Sequence, residues 1–274
     1  MINSGLRPFR YLSGKTMRTK CLRKGIHWDL DLDEGIDLCI YLLGAYEPKV
    51  LRAYSRVIKT GHVVFDIGAN IGAHTLHFAN LVGDSGRVFA FEPSDYGARK
   101  LKGNLELNST LAKRVEFQQC FLVSEDSEAL PEKVVSRWPV ANEHSDLNID
   151  HLGKPETLSQ AVAVTADKVC ENAKIARLDF VKIDVDGFEY PVLRGFQKNL
   201  MRFKPHILIE IAPFVYQHEK AMEFDDFVRF IARLGYSFTN ANTGAQVPSD
   251  PVKLRRLITP GAALNCLLLP TPVS

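Results

Sequence analysis

No apolar run in this chain approaches the roughly 20 residues that a membrane span needs; the longest, such as residues 207–211, have strand length. There is no C-x-x-C pair either. The five cysteines, Cys21, Cys39, Cys120, Cys170 and Cys266, are odd in number and widely scattered. This argues against a disulfide framework or a zinc site and points to reduced thiols in a cytoplasmic protein. Charge of one sign is also missing: 34 Lys and Arg stand against 32 Asp and Glu, interspersed, for a net charge of +2. So there is no electrostatic case for nucleic acid or an anionic membrane as the main partner. The basic stretch 1–20 lacks the apolar centre of a signal peptide. What remains is 274 residues, 46% hydrophobic and 24% charged, enough for one sizeable core.

The chain is organised around VVFDIGANIG, residues 63–72. Val63, Val64, Phe65 and Ile67 read as a strand buried on both faces, broken only by Asp66, with Gly68 and Gly72 supplying a tight turn. Residues 73–81 then read as a helix whose first N–H groups point at whatever lies over the glycines. A dinucleotide site would show G-x-G-x-x-G, which is absent, and a P-loop would follow its last glycine with Lys and Ser/Thr, where Ala73 and His74 stand. Two readings stay open: an S-adenosylmethionine loop, or a tight turn with no ligand.

Taken in order, residues 1–24 read as a loosely ordered or packing arm. Residues 25–36 alternate Ile26, Trp28, Leu30 and Leu32 on one face and end in Asp33-Glu34-Gly35, predicting a hairpin whose acids form its solvent face rather than a metal cluster. Helices are expected over 36–44 and 48–59. Beyond the glycine turn, residues 87–91 form a second buried strand ending in Glu92-Pro93. Glu92 lies 26 residues past Asp66, about one βαβ step. There it is placed to accept hydrogen bonds from both ribose hydroxyls, or it is a helix N-cap acid or a solvated loop acid. After a helix over 94–107, residues 115–123 form a third strand, with an adenine near residues 120–124. Residues 124–161 are irregular, as substrate lids often are; His144 within them is either a general base or a solvated loop histidine. Residues 179–189, DFVKIDVDGFE, form the second signature: a buried strand with Lys182, Asp184, Asp186 and Glu189 crowded at its end, a grouping that needs partners and so reads as a site. A fifth strand over 205–211 also closes on an acid, Glu210. An amphipathic helix over 224–234 and two last strands, 236–240 and 264–269, complete the α/β pattern.

DIGANIG, the following FEP, Asn104 and Asn108, and KIDVDGFE ahead of a PVLRG helix together resemble the FkbM family of S-adenosylmethionine-dependent methyltransferases. The similarity runs from Tyr46-Glu47 through TADKV at Thr165 to the final strand. It implies a class I methyltransferase (Rossmann-like) sheet of seven mostly parallel strands in the order 3-2-1-4-5-7-6, with helices on both faces and an N-terminal hairpin and helical extension. The domain then covers 61–274, with an insertion at 124–161, and 1–60 forms the extension. The implied activity is O-methylation of a sugar or small-molecule hydroxyl. Asp66, Gly68, Ala69, Asn70 and Gly72 are expected on the methionine side of S-adenosylmethionine, Glu92 with Pro93 at the ribose, and Cys120 and Ser124 near the adenine. Asp184, which also borders the cofactor, Asp186, Glu189 and Lys182 would shape the acceptor side or assist deprotonation, with Glu210 beside them. The family most often has Glu where Asp186 stands, and often Leu where Ala166 stands. A divalent cation held by these acids is left open, with no metal ligand assigned. Two other classes remain: a nucleotide-dependent oxidoreductase, and a non-catalytic cofactor-binding relative. A homodimer through the hairpin and arm before Gly44 is compatible with the pattern.

Overall fold

The computed structural model describes residues 17–140, 153–216 and 221–271. The chain opens with β1 (Arg18–Arg23), β2 (Ile26–Asp31), α1 (Gly35–Leu43) and α2 (Pro48–Ser55). Then come β3 (Val63–Ile67), α3 (Thr75–Val82), β4 (Arg87–Phe91), α4 (Asp95–Glu106), α5 (Ser109–Ala112) and β5 (Val115–Gln118). The middle holds β6 (Cys120–Val123), β7 (Lys133–Arg137), β8 (Lys154–Thr157), β9 (Val162–Thr165) and α6 (Ala166–Asn172). It is followed by β10 (Phe180–Ile183), α7 (Glu189–Arg194), α8 (Gln197–Phe203), β11 (His206–Ile211) and α9 (Ala221–Arg233). Last are β12 (Tyr236–Asn240), β13 (Gln246–Val247), α10 (Pro251–Leu257) and β14 (Leu264–Pro270).

The central sheet runs β5-β4-β3-β10-β11-β14-β12-β13. It has eight strands where seven were expected, the two-residue β13 being the edge addition. The five strands from β5 to β11 are mutually parallel, and β14 is antiparallel to both β11 and β12. Alternation along the strands divides the core. Phe65, Ile67, Phe89, Phe91, Val181 and Ile183 face one layer with α6 to α9, whereas Val64, Val88, Phe180 and Leu208 face the other with α2 and α3. Trp28, Leu30, Ile40 and Tyr54 belong to that second layer, so the segment 26–58 shares a core with the sheet.

Three expectations need correction. Residues 18–23 are not a loose arm: they form β1 and pair antiparallel with β2 across a turn at Lys24 and Gly25, both at positive φ. The expected turn at 33–35 instead leads into α1. The basic residues of an exposed edge strand hid its period. The third strand breaks at Gln119, whose amide bonds Asp95; β5 stays in the central sheet while β6 pairs with β9. Within 124–161, β7 and β8 form an antiparallel pair rather than an irregular lid. His144 lies outside the described residues.

The free edge of β2 is covered by side chains. Asn104 accepts from the Asp29 N–H at 3.0 Å and donates to the Ile71 carbonyl at 2.9 Å, and Asn108 accepts from the His27 N–H and donates to the His27 carbonyl. These two asparagines pin the N-terminal hairpin to α4 and to the glycine turn. Asn104→Ala strands a buried N–H and a buried carbonyl together, so it should destabilise the protein by about 1–3 kcal/mol, read as a lower urea midpoint in a single unfolding transition.

Candidate functional site

Parallel register brings the carboxyl ends of β3, β4, β10 and β11 to one edge, where Gly68, Glu92, Asp184 and Glu210 meet. A cavity of about 290 Å³ opens there. Its rim includes Gly68, Ala69, Asn70, Glu92, Pro93, Cys120, Lys182, Asp184, Asp186 and Glu210.

Gly68 is required by a close approach: with φ at +78°, a Cβ there would lie 1.8 Å from the Asp184 carbonyl oxygen. Gly72 serves packing instead, since a Cβ would lie 2.6 Å from Leu101 Cδ1, and it does not border the cavity. Asp66 also sits behind the wall. It is fully buried, accepts from Thr75 Oγ1 at 2.6 Å and faces Lys182 Nζ at 3.6 Å. Lys182 Nζ also lies 3.2 Å from Asp184 and donates to the Gly68 carbonyl. Burial pulls its pKa down, but the carboxylates of Asp184 and Asp66 outweigh that and hold it above the ordinary value. Lys182 is therefore a fixed cation that clamps the ends of β3 and β10.

Glu92 is buried and accepts three hydrogen bonds. Its Oε1 accepts from the Ser94 N–H at 2.9 Å and Ser94 Oγ at 2.5 Å, and its Oε2 from the Asn70 N–H at 2.8 Å. Burial raises its pKa, and these bonds counter the rise. With one donor on Oε2, a further lone pair remains to accept a ligand hydroxyl.

The acids after β10 divide. Glu189 is turned into the turn itself, accepting from the Val185 and Gly187 N–H groups, and burial pushes it up to about 7. Asp186, at φ +49°, borders the cavity; burial, then Asp184 and Glu189, raise it well above the carboxylate range. Glu210 is pushed up to about 9 by burial and by Asp184, Asp186 and Glu189. Cys120, pushed up to about 12 by burial, is a neutral thiol in the wall. Ser124 does not border the cavity and bonds Glu128 through N–H and Oγ. Among the described residues, no group of three or more His, Cys, Asp or Glu side chains is arranged to hold a metal ion.

The cavity also holds residues that sequence reasoning passed over: Tyr46, His74, Phe121, Ser136, Trp138 and Phe214. His74 follows the glycine turn directly, and that position was its only signal. Its Nδ1 lies 3.2 Å from the Tyr54 hydroxyl, and its Nε2 lies 3.6 Å from Glu47. Ser136 and Trp138 fall in a stretch without a readable period.

The methyltransferase FkbM domain matches residues 66–238, more than half of the chain. The chain belongs to the FkbM methyltransferase family. A curated relative, hexuronic acid methyltransferase AglP of Haloferax volcanii, is 23% identical over 175 residues, 60% of this chain and 62% of that one. The chain thus spans less than two thirds of that relative's length. Among solved structures, methyltransferase FkbM from Methylobacillus flagellatus is 16% identical with a TM-score of 0.44, over 76% of this chain and 43% of that one. An O-methyltransferase from Bacillus cereus in complex with SAH is 16% identical with a TM-score of 0.47, over 81% of each chain. Among the described residues no helix is long and apolar enough to cross a membrane.

Carboxyl groups whose pKa is raised by folding bind protons more tightly in the folded state, so stability is highest when they are protonated and falls as pH rises through the folded values. The ligand-free protein should lose thermal stability from about pH 5 towards pH 9, the window set by Glu189 at about 7 and Glu210 at about 9. In Glu210→Gln the upper part of this decline should flatten. Scanning calorimetry across that range is the check, and a variant profile parallel to wild type would contradict the assignment.

Proposed function

We propose that this protein is an S-adenosylmethionine-dependent O-methyltransferase acting on a hydroxyl of a sugar or another small molecule. The observation that carries the reading is Glu92: a buried carboxylate at the end of β4, ordered by three donors, with a lone pair of Oε2 left over beside the cavity. A ribose hydroxyl supplies the donor such an oxygen lacks. Pro93 adjoins it. Gly68, Ala69 and Asn70 line the methionine side, with Asp66 and Gly72 shaping that turn from behind. Cys120 lies on the adenine side with Phe91, Phe121 and Leu122, an apolar slot suited to a purine. Ser124 takes only a supporting place, next to β6.

When bound, S-adenosylmethionine supplies a methyl group on a sulfonium for in-line displacement by the acceptor oxygen. The protein contributes alignment and exclusion of water. Tyr46, Trp138 and Phe214 also line the cavity with flat apolar faces, and Asp184, Asp186 and Glu210 offer oxygens, a mixture that suits a polyhydroxylated acceptor. Asp184 and Asp186 are the groups assigned to assist deprotonation, while Glu189 and Lys182 hold their turn in place. Carboxyl groups in this cavity disfavour an anionic acceptor. The curated relative's name specifies a hexuronic acid, so neutral sugars and uronic acids are both worth assaying, with the neutral ones expected to be methylated faster.

Calorimetric titration with S-adenosylmethionine, S-adenosylhomocysteine and NADH, with and without magnesium, tests the cofactor. Micromolar binding of the two sulfur nucleosides and none of NADH is expected. Absence of any binding by folded protein would defeat the proposal. Glu92→Ala should raise the dissociation constant for S-adenosylhomocysteine by about tenfold or more, the loss of hydrogen bonds to a charged group, in protein that remains folded although its unfolding midpoint is lowered.

A further inference from the structure

The strand β7 belongs to the insertion between β6 and β9, yet one of its residues reaches the cofactor carboxylate. Ser136 is buried and borders the cavity. Its Oγ lies 2.7 Å from Ser94 Oγ and 3.3 Å from Asn70 Nδ2, and its carbonyl accepts from Asn70 Nδ2 at 2.9 Å. The direction of each bond follows from counting protons. Ser94 Oγ has one, and at 2.5 Å from Glu92 Oε1 it is given to the carboxylate. Ser94 Oγ must then accept from Ser136, as it accepts from the Gly97 N–H. Ser136 Oγ, having donated, accepts from the Asn70 amide. The path runs Asn70 side chain to Ser136 to Ser94 to Glu92 Oε1, and the Asn70 main-chain N–H closes it on Glu92 Oε2. Both arms start at Asn70 and converge on one carboxylate, and along the longer arm each hydroxyl accepts one hydrogen bond and donates the next, the arrangement in which hydrogen bonds strengthen one another.

We propose that Ser136 is a positioning residue of the cofactor site, completing a hydrogen-bonded ring that fixes Asn70 and Glu92 in the geometry that receives the ribose. This rests on reading Glu92 as the ribose acceptor. The inserted hairpin is then part of the cofactor site, not only a cover for the acceptor. Its anchorage supports that: Arg137 pairs with Glu34 and Glu156, Asp95 accepts from Thr157 and Ser159, and Trp138 accepts the Gly35 N–H through its carbonyl. These contacts hold Ser136 at a fixed height over Ser94. The space is tight beneath it as well, because a Cβ on Gly97 would lie 2.8 Å from the Glu92 carboxyl.

The test is cofactor affinity by calorimetry on the full chain. Ser136→Ala should weaken S-adenosylmethionine and S-adenosylhomocysteine alike, by about tenfold, with the acceptor KM unchanged. In a Ser94→Ala background the same substitution should add little, because the ring is already open. Arg137→Met, which loosens the hairpin without touching the ring, should lower the unfolding midpoint more than it weakens binding. If Ser136→Ala fails to fold, Ser136→Cys keeps the shape with a poor donor and should show the same loss. Unchanged affinity in the Ser136 variant, full additivity with Ser94→Ala, or equal weakening by Arg137→Met would each overturn the proposal. Should Glu92→Ala also leave affinity unchanged, the ribose assignment itself has failed; if Glu92→Ala weakens binding and Ser136→Ala does not, only the role of Ser136 has.

Discussion

The buried ammonium of Lys182 is the constraint on which the rest of the site depends. Parallel pairing sets Lys182 opposite Asp66 across β10 and β3, and with both side chains shut away from water neither charge is tolerable alone. Lys182 offsets the Asp66 charge and part of the Asp184 charge, and its remaining donor capacity goes to the Gly68 carbonyl. Such a cluster adds little to stability compared with an apolar replacement, but it specifies one register: slipping either strand by a residue would bury an unpaired charge. That register aligns the ends of β3, β4 and β10, and the missing Cβ of Gly68 lets the first and last of these turns touch. The cavity is the space left in front of that contact.

Around this frame the surrounding parts are joined by polar side chains rather than by extended sheet. The hairpin of β1 and β2 is docked through Asn104 and Asn108, and Asp37 helps by accepting from the Asp31 N–H and from Lys100. The pair β7 and β8 is docked through Arg137, Asp95 and Ser136. Each of these bonds satisfies backbone or carboxyl groups that would otherwise be buried without partners. Insertions attached in this manner keep the central sheet free of extra edges, and they bring new side chains to the cavity without altering strand order.

Much of the frame was legible in the sequence because its signals are local. An apolar run ending in Asp66 and glycines, a second ending in Glu92, and a third ending in Lys182 and acids each declare a buried strand with chemistry at its tip. What stayed hidden depends on contacts between distant segments. Nothing around Gln119 announces that the strand breaks there, since the cause is a bond to Asp95. Basic residues in β1 obscure its alternation, and its strand character comes from pairing with β2. Glu189 looks, from its spacing, equivalent to Asp184 and Asp186, but the helix it starts turns its carboxyl back onto the Val185 and Gly187 amides. His74 could be read only as the residue after a glycine turn, and its neighbours Tyr46, Glu47 and Tyr54 come from another helix and its approach.

The distribution of charge carries one more consequence. Lys182 is the cation of the cavity wall among the described residues, and Asp66 and Asp184 already engage it, so its charge offsets Asp186 only in part. Burial first, and then repulsion from the neighbouring acids, raises the pKa values of Asp186 and Glu210, and in the ligand-free protein protonation relieves both. Under the proposed function, a bound sulfonium would offset part of that repulsion in place of the protons. Methyl transfer removes that positive charge and leaves a neutral thioether. On that proposal the carboxyl groups that favour the donor would have no such attraction for its product, so charge would separate two molecules whose shapes differ by a single methyl group.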